Sequence, residues 1–420
     1  MQTYTQMKDS GVAWLGDIPA EWNIKPLFSF VEEKKNKNSE NLVDNVLSLS
    51  YGMIKKRELD NGGLLPESFA TYQIVEADDI ILRLTDLQND KRSLRVGRST
   101  QRGIITSAYV CIKPTKINSR YLYYLLHAYD LLKVFYNLGG GLRQGMKFDD
   151  LKRLPAFDIA PEQQLKIANY LDEETALIDD LIAKQQRLLA LLEEKRRATI
   201  THAVTRGLNP SVDLKETNIP WLGKIPVHWK LKKARYLFDR IKDVPRNGDD
   251  VVTAFRDGEV VLRSLRRTEG FTFADKEIGY QHVSKGDLVI HAMDGFAGAI
   301  GVSKSDGKMS PVCSICRPKD ESKINTEYFA QLVRTMAKSD WLTAIAKGIR
   351  ERSTDFRWAD FANMEFPLPP PEEQSAIINS IQDEELKLAT LKNKINVQIS
   401  FLKERRTSLI SHAVTGKIKV

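Results

Sequence analysis

The sequence of 420 residues contains only three cysteines, Cys111, Cys313 and Cys316. So few thiols argue against a disulfide framework and are typical of proteins in a reducing cytosol, so a cytoplasmic location is expected. The sequence has no apolar run of about 18 residues, the length that a membrane-spanning helix requires. Its first residues also lack the charged and then apolar segments of a signal peptide.

Motifs for phosphate, methyl-transfer or metal chemistry are missing as well. The sequence contains no Gly-x-x-x-x-Gly-Lys-Ser/Thr loop, no His-Glu-x-x-His pair and no Asn/Asp-Pro-Pro-Tyr/Phe tetrapeptide. Cys313 and Cys316 form a single pair without a second pair at zinc spacing, so buried thiols are the preferred interpretation. The glycine-rich run 295–301 lacks a Gly-x-Gly core and predicts a turn between strands. No cofactor or metal site of its own is therefore predicted for this chain.

The main feature that is present is a duplication. Residues 14–22, Trp-Leu-Gly-Asp-Ile-Pro-Ala-Glu-Trp, return 207 residues later at 221–229 as Trp-Leu-Gly-Lys-Ile-Pro-Val-His-Trp. We call this segment the tryptophan motif. Two further segments return 210 residues later, Pro-Glu-Gln-Gln at 161–164 and His-Ala-Val-Thr at 202–205. A repeat of this length is a whole domain with its connector, which predicts two equivalent halves related by pseudo-two-fold symmetry.

Each half begins with a mixed segment of short strand-like runs followed by a helix. The runs are rich in Val, Ile and Leu and are bounded by Gly, Asp, Lys or Pro, as β-strands are. They cover 46–49, 80–82 and 109–112 in the first half and 260–262, 288–290 and 299–302 in the second. Helices are predicted over 120–136 and 326–346, with Asn118 and Asn325 well placed for capping. The predicted fold class is therefore α+β.

Each half then ends in a long helix. Pro161 and Pro371 suit the first helical turn, because proline needs no backbone donor there. Neither proline nor glycine interrupts the roughly 40 residues that follow, which would give a rod of about 60 Å. Gly207 and Gly416 are the expected stop signals.

The long helices carry an apolar seven-residue repeat, which predicts a left-handed coiled coil. An antiparallel pair would hold two globular domains at opposite ends, whereas two helices that each pack on their own domain are the alternative. The predicted seam residues are Leu171, Ile178, Leu181, Leu188 and Leu192 on the first helix, and Ile381, Leu388, Leu391, Ile395 and Leu402 on the second.

Basic residues are concentrated in the mixed segments of a chain whose net charge is +8. Guanidinium and ammonium groups on loops can bind phosphates or guanine edges, so nucleic acid is the preferred partner. The alternative for each single residue is a solvated surface charge. The candidate DNA-binding residues are Lys91, Arg92, Arg95, Arg98, Arg102, Arg143 and Lys147 in the first half, and Arg263, Arg266, Arg267, Lys347, Arg350 and Arg352 in the second. These basic loops differ between halves while the tryptophan motifs and long helices match, which favours readers of two different sequences.

In their order, these features resemble the specificity subunits of type I restriction-modification systems. The resemblance spans nearly the whole chain and is carried by the doubled tryptophan motif and the Pro-x-x-Gln start of each long helix. The helix ends complete it, with Lys-Arg-Arg at 195–197 before His-Ala-Val-Thr in the first half and Arg405-Arg406 before His-Ala-Val-Thr-Gly in the second. A small departure is Arg206, where the second half has Gly416.

The resemblance implies two target recognition domains over 1–158 and 209–368, joined by spacer helices over 159–208 and 369–420. Each domain would read one half of a bipartite site on double-stranded DNA, and the antiparallel coiled coil would set the spacer length. The helices would dock two methyltransferase (modification) subunits, and the complex would bind endonuclease/translocase (restriction) subunits. S-adenosylmethionine, ATP and Mg²⁺ would then belong to those partner subunits, and this chain would be non-catalytic.

Three other interpretations stay open at this stage. A coiled-coil scaffold for protein interactions without DNA binding would share the helices but not a steep salt dependence. A free-standing nuclease or methyltransferase would be active as a purified protein. A specificity subunit of a methylation-only system would have the same sequence features.

Overall fold

In the computed structural model, the chain divides into two compact units, Met1–Gln186 with Ile395–Val420 and Arg187–Lys394. The structure describes residues 3–57, 68–87, 90, 93–137, 145–266, 278–339 and 356–420. Strands and helices are mixed within each unit, so the predicted α+β class is confirmed. No helix in these ranges is both long enough and apolar enough to cross a membrane.

The described residues of the first half form short strands, two short helices and a long one. Its elements are β1 (Met7–Asp9), β2 (Asp17–Pro19), β3 (Asn23–Pro26), β4 (Val31–Lys34), β5 (Leu47–Ser50), β6 (Met53–Lys56), β7 (Gln73–Val75), β8 (Ile80–Leu82), β9 (Val96–Arg98), β10 (Gly103–Ile105), β11 (Val110–Pro114), α1 (Ser119–Leu131), α2 (Phe148–Leu151), β12 (Pro155–Asp158) and α3 (Pro161–Arg206). Short 3-10 turns cover Leu27–Ser29 and Val134–Asn137.

The second half repeats this order. Its elements are β13 (Leu214–Glu216), β14 (Lys224–Pro226), β15 (Lys230–Lys233), β16 (Phe238–Ile241), β17 (Val252–Ala254), β18 (Val260–Leu262), β19 (Gln281–Val283), β20 (Leu288–His291), β21 (Ile300–Val302), β22 (Gly307–Met309), β23 (Cys313–Pro318), α4 (Thr326–Ala337), α5 (Trp358–Asn363), β24 (Glu365–Leu368) and α6 (Pro371–Val414). The 3-10 turns here cover Ala234–Tyr236 and Arg263–Leu265.

The two halves have the same sheet topology. An antiparallel four-stranded sheet has the order β4-β11-β8-β9 in the first half and β16-β23-β20-β21 in the second. Among the described residues each half also has four two-stranded sheets, and each has its counterpart in the other half, for example β5-β6 and β17-β18. All six predicted strand-like runs contain observed strands, because alternating or continuous apolar residues need a sheet face to cover them.

Asparagine caps fix the start of the domain helices as expected. The Asn118 side chain accepts hydrogen bonds from the backbone N–H groups of Arg120 and Tyr121 at 3.0 and 3.1 Å. The Asn325 side chain accepts one from the N–H of Tyr328 at 3.2 Å. The α1 helix ends at Leu131, which is earlier than predicted, because a 3-10 turn follows it. The α4 helix ends at Ala337, also earlier than the predicted end at residue 346, since Lys338 and Ser339 form a turn after it; residue 346 itself lies outside the described residues.

The long helices contribute to both units. In the first unit, the beginning of α3 shares a core with the end of α6, where Leu171 and Ile178 belong to the same apolar cluster as Leu409 and Ile410. In the second unit the order is reversed, since Val204 at the end of α3 belongs to the same apolar cluster as Ile377 and Ile378 near the start of α6. This exchange of helix ends is the order of an antiparallel pair.

The core seam of the helices lies partly where it was predicted. The buried seam residues are Leu171, Ile178, Ile381, Leu388 and Ile395, and Leu192 and Leu402 are half-buried. The prediction is wrong for Leu181, Leu188 and Leu391, whose side chains are 47, 40 and 41% exposed. On the first helix the half-buried residues Ile182 and Leu189 lie one position after Leu181 and Leu188, and on the second helix Ile399 is buried. The inward-facing positions follow alternating steps of four and three residues along each helix.

Candidate nucleic-acid interface

A buried arginine corrects one of the predicted DNA contacts. Arg95 is fully buried, and its guanidinium donates hydrogen bonds to the carbonyl oxygens of Arg83 at 3.1 Å and Thr85 at 2.8 Å. Its Nε donates to the Tyr136 hydroxyl at 3.1 Å. Since carbonyl oxygens satisfy these donors inside the domain, Arg95 holds the chain after β8 in place and is not available to DNA.

The other described candidates of the first half lie on the surface. Arg98 forms an ion pair with Asp78 at 2.5 Å, and Arg102 one with Glu76 at 3.3 Å. Lys147 is exposed at the start of α2. Exposed ion pairs contribute little stability, so these side chains can exchange a carboxylate for a phosphate at small cost.

In the second half, Arg266 is held by acidic neighbours. Its guanidinium donates to Asp257 at 2.9 Å, pairs with Glu259 at 3.1 Å and lies 4.3 Å from the centre of the Phe255 ring. The hydrogen bond from Arg266 lowers the pKa of Asp257 to about 2. Arg263 is half-buried and donates to the Thr253 hydroxyl at 3.2 Å. The structure therefore brings Arg263 and Arg266 to the β17-β18 hairpin, but with acidic residues beside them.

The remaining candidates lie outside the described residues. They are Lys91, Arg92, Arg143, Arg267, Lys347, Arg350 and Arg352.

The first half also carries a basic and aromatic hairpin that was not among the predicted DNA contacts. Strands β5 and β6 are joined by Tyr51 and Gly52, and Tyr51 is 80% exposed. Lys55 and Lys56 are exposed on β6, and Arg57 follows them. Within the described ranges, none of these three cations forms an ion pair. We call residues 51–57 the β5-β6 tip. Its signal in the sequence was the Lys-Lys-Arg run after a Tyr-Gly turn.

The β5-β6 tip is anchored firmly in the domain. Tyr51 and Gly52 have φ angles of 48° and 78°, as in the two-residue turns that match strand twist. Leu49 and Ile54 face inward against Gly97 on β9, where a Cβ atom would lie 2.6 Å from Leu49 Cδ1. An aromatic ring and unpaired cations on a rigid hairpin suit stacking on bases and contact with phosphates.

No metal or redox chemistry is indicated among the described residues. They contain no group of three or more His, Cys, Asp or Glu side chains that could hold a metal ion. The three cysteines are free and buried, as expected. Burial raises the pKa of the Cys111 and Cys313 thiols to about 12, so neither is a ready nucleophile.

Comparison with known proteins gives relatives of one kind. The chain is 24% identical over 334 residues to the type I restriction enzyme EcoBI specificity subunit of Escherichia coli, covering 73% of this chain and 67% of that one. It is 21% identical over 332 residues to the EcoDI specificity subunit of the same organism, covering 73% and 72%. No protein-family model matches the chain.

Solved structures share the fold over nearly the full length. A chain from a structure of a type I R-M system, concerned with its complex assembly and conformational transition, has a TM-score of 0.68 at 13% identity and covers 95% of this chain and 99% of its own. The HsdS subunit from Thermoanaerobacter tengcongensis has a TM-score of 0.53 at 14% identity, with coverage of 95% and 98%. By sequence similarity and shared fold, this chain is a homologue of the specificity subunits of type I restriction enzymes.

Proposed function

We propose that this chain is the sequence-specific DNA-recognition subunit of a type I restriction-modification complex. The observation that carries the proposal is the duplicated fold, in which two domains of equal topology carry different surface loops, in a homologue of specificity subunits. In this proposal the chain is non-catalytic, and the chemistry belongs to partner subunits.

Each domain reads one half of a bipartite site in this proposal. The β5-β6 tip is aromatic and basic, whereas the matching β17-β18 hairpin mixes Arg266 with Asp257 and Glu259. Hairpins of such different charge on one scaffold support the reading of two different half-sites. In this proposal the recognition domains cover residues 1–158 and 209–368, and the spacer helices cover residues 159–208 and 369–420.

The long helices set the distance between half-sites and dock two methyltransferase subunits, with endonuclease/translocase subunits joining the complex. Ion pairs across the helices support a fixed register, with Arg406 Nε 2.9 Å from Asp179 Oδ1 in the first unit and Lys392 bound to Glu193 in the second. A paired helix holds its length far better than a flexible linker. S-adenosylmethionine, ATP and Mg²⁺ bind to the partner subunits in this proposal.

Genome-wide mapping of methylated adenines tests the central proposal. We expect a bipartite methylated motif in a strain that carries this chain and its loss when the gene is deleted. The purified chain alone should neither methylate nor cleave DNA when given S-adenosylmethionine, ATP and Mg²⁺. Activity of the isolated chain, or an unchanged methylation pattern after deletion, would refute the assignment.

A heptad insertion tests the ruler role separately. Seven added residues in each long helix lengthen it by about 10.5 Å, which is about three base pairs of B-DNA. The methylated motif should keep both half-sites and gain a longer spacer. An unchanged spacer in a folded, active complex would leave the helices without a ruler function. The rival scaffold hypothesis predicts no DNA binding at any salt concentration.

A further inference from the structure

The second unit contains a cavity of about 210 Å³ whose walls are basic. It lies between the later part of α3, which supplies Arg196, Arg197 and Thr201, and α4, which supplies Arg334, Thr335 and Lys338. None of the described residues that line this cavity is acidic. Four cations and the hydroxyl groups of Thr201, Thr335 and Ser339 therefore line a space large enough for a phosphate group.

Part of this positive charge has no counter-charge. Arg196 is balanced, because it pairs with Glu193 at 3.3 Å and with Glu385. Arg197 and Lys338 are exposed and form no ion pair within the described part of the chain. Partial desolvation lowers the pKa of Lys338, and the nearby Arg334 and Arg196 lower it further. An anion in the cavity would relieve this repulsion.

Arg334 separates this cavity from a second one that is lined by carboxylates. One of its Nη atoms donates to the backbone carbonyl of Asp257, and its buried Nε atom, which lies against Gly258, has no hydrogen-bond partner among the described residues. Its carboxylate neighbours Asp257, Glu327 and Glu385 line a separate cavity of about 390 Å³ that Arg334 also borders. The carboxylates beside Arg334 therefore line the other cavity, and the described walls of the basic cavity carry no acidic side chain.

Three of these four cations have no charged counterpart in the first unit, which keeps only Arg406 at the position of Arg196. The repeat places His127 at the position of Arg334, Leu131 at that of Lys338 and Thr407 at that of Arg197. The basic cavity is thus not a requirement of the duplicated scaffold, which folds in the first unit with uncharged or apolar residues there.

We propose that the cavity lined by Arg197, Arg334 and Lys338 is a binding site for a phosphate group. Guanidinium, ammonium and hydroxyl donors together suit the tetrahedral oxygens of phosphate. The phosphate belongs either to the DNA backbone or to a free phosphate ion or ester. Binding of a DNA backbone phosphate rests on the proposed function, whereas binding of a free phosphate ion or ester does not.

The full-length chain with the double substitution Arg197→Gln and Lys338→Gln tests this site. Both side chains are exposed, so the variant should fold, which circular dichroism verifies. The matched control is Lys224→Gln with Lys319→Gln, which removes the same charge from two ion-paired surface residues of the same unit. One arm titrates inorganic phosphate by calorimetry at constant ionic strength. The other arm measures affinity for a duplex with the methylated motif at several salt concentrations.

Binding of inorganic phosphate by the wild type and the control, weakened at least about tenfold in the variant, supports the site with a free phosphate as its source. No phosphate binding, together with a DNA salt slope that falls by about 1–2 in the variant only, supports a backbone phosphate. If the wild type binds DNA and the variant matches the control in both arms, the phosphate site is refuted and the proposed function stands. If the wild type does not bind DNA, the proposed function fails and the phosphate arm alone decides the site.

Discussion

Neutralising the β5-β6 tip should weaken DNA binding in a salt-dependent way. The perturbation is the triple substitution Lys55→Gln, Lys56→Gln and Arg57→Gln. None of these side chains has an ion-pair partner in the ranges that the structure describes, so their full charge is available to phosphates. Each lost phosphate contact lowers the slope of log affinity against log salt by about 0.9, so three contacts account for about 2.7. At physiological salt the same three contacts correspond to an affinity loss of roughly 100-fold.

Fluorescence anisotropy with a duplex containing the methylated motif measures this slope. The control triple is Lys25→Gln, Lys35→Gln and Lys152→Gln, since these lysines pair with carboxylates at 2.7, 2.7 and 2.6 Å. It removes the same net charge from the same half of the chain. Equal salt slopes for the two triple variants would mean that the β5-β6 tip acts only through the net charge of the chain. The inference that the tip contacts DNA phosphates would then be wrong.

Three further predictions concern stability, each measured by chemical denaturation. Burial lowers the pKa of the His127 imidazole to about 4, below the unfolded value of about 6.5. Between these two values the unfolded chain binds more protons than the folded chain, so the free energy of unfolding decreases as the pH is lowered through that window. The loss should be about 2 kcal/mol at pH 5 relative to pH 7 and should be absent in His127→Phe, while an equal loss in that variant would point to other groups. Gln374→Met should lower the free energy of unfolding by about 2–3 kcal/mol, because the buried amide accepts a hydrogen bond from the N–H of Asn325 at 2.8 Å and donates to two carbonyl oxygens. A decrease of less than about 0.5 kcal/mol would contradict this. Gly416→Ala should destabilise more than Gly207→Ala, since both have positive φ but only the first Cβ would lie 2.4 Å from a proline ring atom; equal losses would leave backbone strain as the whole effect.

Local patterns in the sequence were sufficient to predict these helices and strands and the caps of the helices. Asn118 and Asn325 precede helices because their side chains satisfy backbone donors within three residues, and this requires no distant partner. Strands 80–82 and 260–262 were recognisable because their residues are continuously apolar. The same reasoning indicated the glycine stops of the long helices, where Gly207 and Gly416 have φ angles of 77° and 72°.

The features that could not be predicted depend on contacts distant in sequence. Arg95 resembles a surface cation until the carbonyl groups of Arg83 and Thr85 are seen to enclose it. Leu181 fits a heptad as well as Ile182 does, and only packing against α6 decides which one is buried. The β5-β6 tip was missed because a Lys-Lys-Arg run is usually a solvated surface, and its meaning comes from the exposed Tyr51 beside it.

The doubled motifs are best explained by the exchange of helix ends. Trp22 of the first tryptophan motif packs against Gly416, which ends the helix of the second half. Trp229 of the second motif packs against Gly207, which ends the helix of the first half. The same exchange recurs at the domain helices, where the Tyr121 hydroxyl donates to the carbonyl of Val414 at 3.2 Å and that of Tyr328 to the carbonyl of Val204 at 2.8 Å. Each domain core is therefore completed by a helix end from the other half, so the motif and the helix end must stay compatible across the duplication while the surface loops are free to differ.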